Sequence, residues 1–245
     1  MIETSLGGAL PAMLAAAALA GLVRGFSGFG AAMVFVPIVS ALRSPQDAVV
    51  LLFLIDAVAA LPLLPGGLSR CAWREVLPLA LGATICMPLG VALLKIADPD
   101  AMRWTVSLMI LAAIAVLASG WRYRAVPSFP TTIAVGGLAG FTSGLAGMAG
   151  PPIVLFMLSG PNDAGTVRAN IVVFFALATL VGAAAYLAHG MITRATLLAA
   201  LLLLPAYALG VRLGARSFGL ASPDTFRRAA YLICGTAALL AMPFW

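Results

Sequence analysis

Apolar runs make up most of this chain, and polar residues mark the gaps between them. Ten apolar segments stand out, at residues 5–23, 30–42, 46–64, 76–97, 99–119, 130–143, 150–160, 165–188, 194–213 and 223–242. Most of them approach the roughly 20 residues a helix needs to cross a bilayer. The second and the seventh are short, and each follows directly on a glycine-rich run. The pattern predicts an all-α, polytopic membrane protein whose long helices are interrupted at two places.

Those two places are related. Sliding residues 17–34 along the chain by 119 positions superposes Ala17, Gly21, Gly25 and Gly28 on Gly136, Gly140, Gly144 and Gly147. The correspondence continues downstream. Leu89-Gly90-Val91 answers Leu209-Gly210-Val211, and Asp98-Pro99-Asp100 answers Ser222-Pro223-Asp224. In the latter pair Asp98 and Ser222 read as N-caps, with proline at the first helical position and an acid near the positive helix end. A spacing repeated in this way predicts two copies of one unit, residues 1–125 and 126–245, joined in one membrane domain. Five segments per copy is an odd number, so two spanning copies would be inverted relative to each other, an architecture common among secondary transporters. With all ten segments crossing and the N-terminus outside, most Lys and Arg fall on the cytoplasmic side; the margin narrows if the two short segments re-enter instead.

Composition sharpens the class. The 245 residues are 63% hydrophobic and only 9% charged, against about 25% charged in soluble domains. Mean hydropathy is +1.11. A soluble core of this length could not hide so much apolar surface, so the solvent is lipid. The net charge of +6 suits Lys and Arg at membrane edges and lacks the dense basic face of a nucleic-acid binder. Cys71, Cys86 and Cys234 form no CxxC pair and imply no metal site. The first apolar run has no basic residue before it, its only early charge being Glu3, and it leads into the repeated motif. It is expected to stay as a membrane segment and not to be cleaved as a leader.

The glycines can be read in two ways. GxxxG spacing lets helices pack closely, and packing alone accounts for Gly21, Gly136 and Gly140. It accounts less well for Gly25-Phe26-Ser27-Gly28-Phe29-Gly30 and for Gly144 to Pro152, which are poor continuous helix: each helical glycine costs about 1 kcal/mol and an interior proline about 3. Pro151 and Pro152 suit the first turn of a new helix. Each motif is therefore expected to end one helix and start a short one. Non-helical backbone at membrane depth lines a cavity or is buried in protein. The N–H groups and positive dipole of a new helix form an anion site, and paired broken helices in equivalent places of two repeats point to a transporter's substrate site. The GFSGFG run lacks the strand and acid of a dinucleotide fingerprint.

Arg24-Gly25-Phe26-Ser27-Gly28-Phe29-Gly30 and Ser143-Gly144-Leu145-Ala146-Gly147-Met148-Ala149-Gly150-Pro151-Pro152 resemble the paired motifs of the TauE/SafE sulfite exporter family, also called the toluene-sulfonate uptake permease superfamily. As a two-repeat pattern the resemblance covers the whole chain. It implies transport of small anions, chiefly sulfite, sulfonates and related organosulfur acids, by secondary transport in the bacterial inner membrane. A nucleotide-binding motif of the Walker A type is absent from the sequence, in keeping with that.

Individual polar residues then become candidates. Arg24 adjoins the first break, and its planar fork suits two oxygens of a sulfite or sulfonate; alternatively it snorkels and sets topology. Ser27 and Ser143 are small donors beside the breaks, able to bond substrate or their own helix. Arg168 and Asn170 open the eighth segment. With Gly25, Gly28, Gly30, Gly144, Gly147, Gly150 and Pro151 these make up the expected substrate site. Asp56 lies mid-segment and is the expected coupling residue, carrying a proton or pairing with a cation such as Arg24. Protons or sodium are the expected coupling ions; no metal and no other cofactor is expected. No Ser/His/Asp set or pair of close carboxylates suggests an enzyme. Trp73, Trp104, Trp121, Tyr123 and Trp245 read as an interfacial belt. An anion channel and a non-transporting assembly protein remain the alternatives, and the sequence leaves the oligomeric state open.

Overall fold

In the computed structural model, residues 8–119, 128–157, 162–217 and 223–243 are described, and every regular element among them is helical. In chain order the α-helices are α1 (Leu10–Ser27), α2 (Ala31–Leu42), α3 (Pro45–Ala60), α4 (Leu64–Arg70), α5 (Trp73–Ile96), α6 (Pro99–Ala118), α7 (Phe129–Ala146), α8 (Gly150–Met157), α9 (Ala164–Ala188), α10 (Arg194–Ser217) and α11 (Pro223–Ala241). The ten apolar segments reappear with ends shifted by a few residues. The largest departure is the third. It continues past residue 64 as α3, a 3₁₀ turn at Leu61–Leu63 and α4, bent by 71°. Pro62 and Pro65 explain the bend, since each removes an N–H from the helical ladder.

Five helices among the described residues (α1, α5, α6, α9 and α10) are long and apolar enough to cross a membrane, or six if α3 and α4 form one bent span. The half-helix α2 is shorter. Helix α7 has 18 residues, but its glycines, threonines and serine dilute its hydropathy. Along α5, Leu77, Leu81, Ile85 and Leu89 are all exposed at four-residue spacing. That is one continuous apolar stripe, as expected of a helix face turned to lipid. The chain is a multi-pass membrane protein.

Packing divides the chain into two compact units. The first comprises Met1–Ile55, Ala97–Ala115 and Ile192–Trp245; the second comprises Asp56–Ile96 and Val116–Met191. Each draws on both halves of the sequence repeat. In the first unit α1 lies along α10 with backbones in contact. A methyl group at Gly21 would overlap the Tyr207 carbonyl oxygen, and one at Gly25 the Val211 carbonyl oxygen. From the other side, Gly210 and Gly214 meet the carbonyls of Ala18 and Leu22. In the second unit α5 and α7 repeat the arrangement: Gly82 and Gly90 meet the carbonyls of Ile133 and Phe141, while Gly136 and Gly144 meet those of Leu79 and Met87. Small residues are what allow this approach, where lipid gives no hydrophobic drive between helices.

Polar contacts fix the ends. Asp98 Oδ1 accepts from the backbone N–H of Asp100 and of Ala101, both at 3.0 Å, and so caps α6 as its sequence predicts. Ser222, its expected counterpart, lies outside the described residues, as do Trp121, Tyr123 and Trp245. Arg103 of α6 donates twice to the Ser40 carbonyl, at 3.1 and 2.7 Å, closing the C-terminal end of α2. Ser107 of α6 donates to the Ala238 carbonyl of α11 at 2.9 Å.

Candidate anion-binding site

The first break separates α1 from α2. Gly28 ends α1 in the left-handed conformation (φ 79°), its N–H donating to the Arg24 carbonyl at 2.8 Å. Gly30, at φ 90°, is the N-cap of α2. Two left-handed positions within three residues demand glycine, because a Cβ there crowds the following carbonyl. The residues between are tied locally. The Arg24 guanidinium donates to the Gly28 carbonyl oxygen, placing a cation at the negative end of α1. Ser27 Oγ lies 2.7 Å from the Val23 carbonyl and 2.6 Å from that of Phe29, and its one proton serves one of them at a time. No side chain caps α2; Met33 N–H reaches the Gly30 carbonyl at 3.1 Å, which leaves the Ala31 and Ala32 N–H groups at the positive end of the half-helix. Ser27 and Gly28 are exposed, and Arg24 is half-buried. The arrangement combines a guanidinium fork, a hydroxyl and a helix N-terminus within one short break.

The second break, between α7 and α8, has the same outline and different chemistry. Gly147 (φ 69°) ends α7, donating to the Ser143 carbonyl at 2.8 Å, and Met148 N–H turns back to the Thr142 carbonyl at 3.1 Å. Thr142 Oγ1 lies 3.0 Å from the Met148 carbonyl. Helix α8 begins at Gly150, but Pro151 and Pro152 have no N–H, and Ile153 N–H goes to the Ala149 carbonyl at 3.4 Å. Its first turn keeps the dipole while losing most of its donors. Gly144, Gly150 and Pro151 are buried, Ser143 and Gly147 half-buried. The two breaks are thus unequal: donors and a fixed cation gather at the first.

The sequence candidates sort accordingly. Arg24, Gly25, Ser27, Gly28 and Gly30 come together at the first break, and Ser143, Gly144, Gly147, Gly150 and Pro151 at the second. Gly25 and Gly144 double as seam residues against α10 and α5. Asp56 is half-buried on α3. Arg168 and Asn170 are not at the second break. Tyr186 of α9 touches that break, and 16 residues separate it from Asn170, about 24 Å of helix. Arg168 is exposed, and no acid pairs with it among the described residues.

Asn170, only 1% exposed, does something the sequence concealed. Its Oδ1 accepts the Ala72 N–H at 2.7 Å and its Nδ2 donates to Glu75 Oε2 at 3.1 Å. Glu75 sits at the third residue of α5, from which it would ordinarily reach back to the Ala72 N–H itself. Asn170 is inserted into that capping contact and ties α9 to the start of α5. Asn162 adds a second amide donor to the same Glu75 oxygen at 2.7 Å. Burial raises the Cys71 thiol pKa, and the Glu75 carboxylate raises it further, so this cysteine is held as the neutral thiol. Sequence reasoning passed over Glu75, which lies just before the fourth apolar segment as delimited there. It also passed over Tyr186, one of two hydroxyls, with Thr179, in the apolar stretch 171–188. Among the described residues no cluster of His, Cys, Asp or Glu could hold a metal ion.

Comparison with known proteins agrees with this picture. A relative from Cupriavidus necator named "Probable sulfite/organosulfonate exporter TauE" is 26% identical over 228 residues, which cover 89% of this chain and 88% of the relative. No solved structure matches the chain. The family model for "Sulfite exporter TauE/SafE" matches residues 13–241. With multiple apolar helices and a family match over nearly its whole length, the chain belongs to the TauE/SafE sulfite exporter family, a family of membrane transporters and not of enzymes.

Proposed function

We propose that this protein is a secondary transporter that moves a small oxyanion of sulfur, sulfite or an organosulfonate, across the bacterial inner membrane. The observation that carries the reading is the first break, where the Arg24 guanidinium is fixed beside a half-helix N-terminus without a side-chain cap. A tetrahedral or pyramidal oxyanion offers several oxygens at once, and a guanidinium fork with backbone N–H groups meets that shape. The C. necator relative bears the name of a sulfite/organosulfonate exporter, which supports the same substrate class. Transport proceeds by alternating access and is driven by a proton or sodium gradient, with Asp56 as the residue that takes the coupling charge.

The test is efflux of sulfite and of a small sulfonate from proteoliposomes, paired with thermal stability in detergent against sulfite, sulfonates, sulfate, carboxylates and chloride. A ligand that binds only the folded state raises the melting temperature by mass action. Saturable efflux and selective stabilisation by sulfur oxyanions, both lost in Arg24→Ala, are expected. Undiminished transport by a well-inserted Arg24→Ala variant would remove Arg24 from the site. Non-saturating flux without counterflow would identify a channel.

A further inference from the structure

The turn that ends α7 leaves its last carbonyls without helical partners, and Gly144 is the first of them. In a continuous helix the Gly144 carbonyl would accept the Met148 N–H. Met148 instead donates to the Thr142 carbonyl at 3.1 Å, because Gly147 at φ 69° turns the chain back. Gly144 is buried, so no water replaces the missing donor there without a cost. The replacement comes from another helix. Tyr186, 2% exposed near the end of α9, donates its hydroxyl to the Gly144 carbonyl at 3.1 Å. On its other side Gly144 presses against the Met87 carbonyl of α5. The residue at the head of the second break is therefore held between two helices, by contact with α5 and by a hydrogen bond from α9.

The first break has a different support. There the residue equivalent to Met148 is Phe29, whose N–H approaches Ser27 Oγ at 3.4 Å, and Arg24 itself bonds the Gly28 carbonyl. Both breaks are tied by their own residues, Ser27 and Arg24 at the first and Thr142 at the second, and the second also receives a side chain from α9.

We infer that Tyr186 is the positioning residue of the second break: its hydroxyl replaces the diverted Met148 donor at the Gly144 carbonyl and so sets the geometry from which α8 starts. The inference rests on the transport reading for its functional consequence, but its structural half stands apart from it. Substitution of Tyr186 by Phe removes one oxygen and keeps the ring, so the variant folds with its packing intact. The purified full-length protein is examined in two ways. Amide exchange is followed at Met148, Ala149, Gly150 and Ile153, and proteoliposome efflux of sulfite gives a half-saturating concentration and a maximal rate.

In Tyr186→Phe, exchange at these four amides is expected to accelerate, while the amides at the middle of α7 keep their rates. The half-saturating sulfite concentration is expected to rise roughly five- to tenfold, the change that one net hydrogen bond corresponds to, with the maximal rate altered less. An unchanged half-saturation with unchanged exchange overturns the inference. So does a uniform loss of thermal stability and rate with half-saturation unmoved, which would make Tyr186 an ordinary stabilising contact. If the unaltered protein transports no sulfite, the substrate reading fails, and the exchange measurement still decides: acceleration confined to the break upholds the positioning role, and no acceleration ends it.

Discussion

The backbone contacts between α5 and α7 predict a graded response to one chemical change, the addition of a single methyl group to different glycines. Gly82→Ala puts its Cβ into the Ile133 carbonyl oxygen, with the Gly137 nitrogen at 2.6 Å, and both are backbone atoms that can yield only if the helices separate. Overpacking of this kind costs about 3 kcal/mol, and the roughly 1 kcal/mol of helix propensity gained by replacing glycine does not offset it. Gly137→Ala is one step around the same seam, yet its nearest neighbour is Cys86 Sγ at 3.1 Å, the tip of a side chain that can move by a few tenths of an ångström. Its net cost is close to zero. Gly66 in α4 has nothing within 4 Å, so Gly66→Ala gains up to about 1 kcal/mol from propensity alone. Gly28 also has nothing within 4 Å, but its φ of 79° makes Gly28→Ala strained by about 1–2 kcal/mol, a cost that falls on the break and not on a seam. Thermal unfolding of the four variants in one detergent checks the order: Gly66→Ala highest, then Gly137→Ala, Gly28→Ala and Gly82→Ala. If Gly82→Ala unfolds no lower than Gly137→Ala, the two helices do not approach as described. Transport separates the readings further, since Gly28→Ala is expected to lose sulfite efflux while retaining most of its stability, and Gly137→Ala to keep both.

Removing the inserted amide in Asn170→Ala strands the Ala72 N–H and one Glu75 contact, at a cost of about 2–3 kcal/mol, whereas Glu75→Gln keeps an acceptor for Asn162 and Asn170 and should unfold within a few degrees of the parent; equal losses in both would show that the charge of Glu75, and not the hydrogen bonds, holds this corner. Asp163 caps α9 by accepting from Thr166, the hydrogen bonds with Thr166 being the main reason its carboxyl pKa lies below the ordinary value, with Arg70 a smaller contribution. A lowered folded-state pKa contributes stability above the ordinary carboxylate pKa and loses it as pH falls, so the parent should weaken relative to Asp163→Asn below about pH 4, as read from melting temperatures across pH. Asp56→Asn is expected to keep sulfite counterflow and lose accumulation driven by an imposed proton or sodium gradient; intact gradient-driven accumulation would place coupling elsewhere.

Much of the helical order was legible because lipid makes the hydrophobic pattern nearly binary: the ends of most helices fall within a few residues of the apolar runs. The breaks were legible too, since Gly28, Gly30 and Gly147 sit at positive φ where other residues are strained. The bend after α3 was not, because Leu61, Leu63 and Leu64 carry the apolar run through Pro62 without any polar interruption. The site was legible only in part. Arg24 and the glycines stand next to each other in sequence, so local reasoning reached them. Asn170 and Glu75 are 95 residues apart, and Tyr186 and Gly144 are 42 apart. What each of these does depends on which helices pack together, and no run of sequence contains that information. Asn170 lies close after α8 in the chain, which is why the sequence groups it with the second break, while the length of α9 separates it from the contact that Tyr186 makes.

The packing partners themselves follow from the repeat once its exchange is seen. Within the first half, α1 carries Gly21 and Gly25 and α5 carries Gly82 and Gly90; in the second half their counterparts are α7 with Gly136 and Gly144, and α10 with Gly210 and Gly214. The two glycine faces of each half could have paired with each other. Instead α1 pairs with α10 and α7 with α5, so every close seam joins one half to the other. Both seams set small residues of one half against the backbone of the other, with registers one turn apart: Gly21 meets Tyr207, whereas Gly140, its match in the repeat, meets Ala83. It follows that neither half can satisfy its own glycine faces. Expressed alone, residues 1–125 would present the α1 and α5 faces without their partners, and in lipid such faces have no hydrophobic drive to pair wrongly but every steric opportunity to pair with the missing half. Co-expression of 1–125 with 126–245 as separate chains should therefore restore a protein that co-purifies and binds sulfite, while either piece alone should not bind it. Binding by one half alone would mean that the exchange of partners between the halves is dispensable for the site.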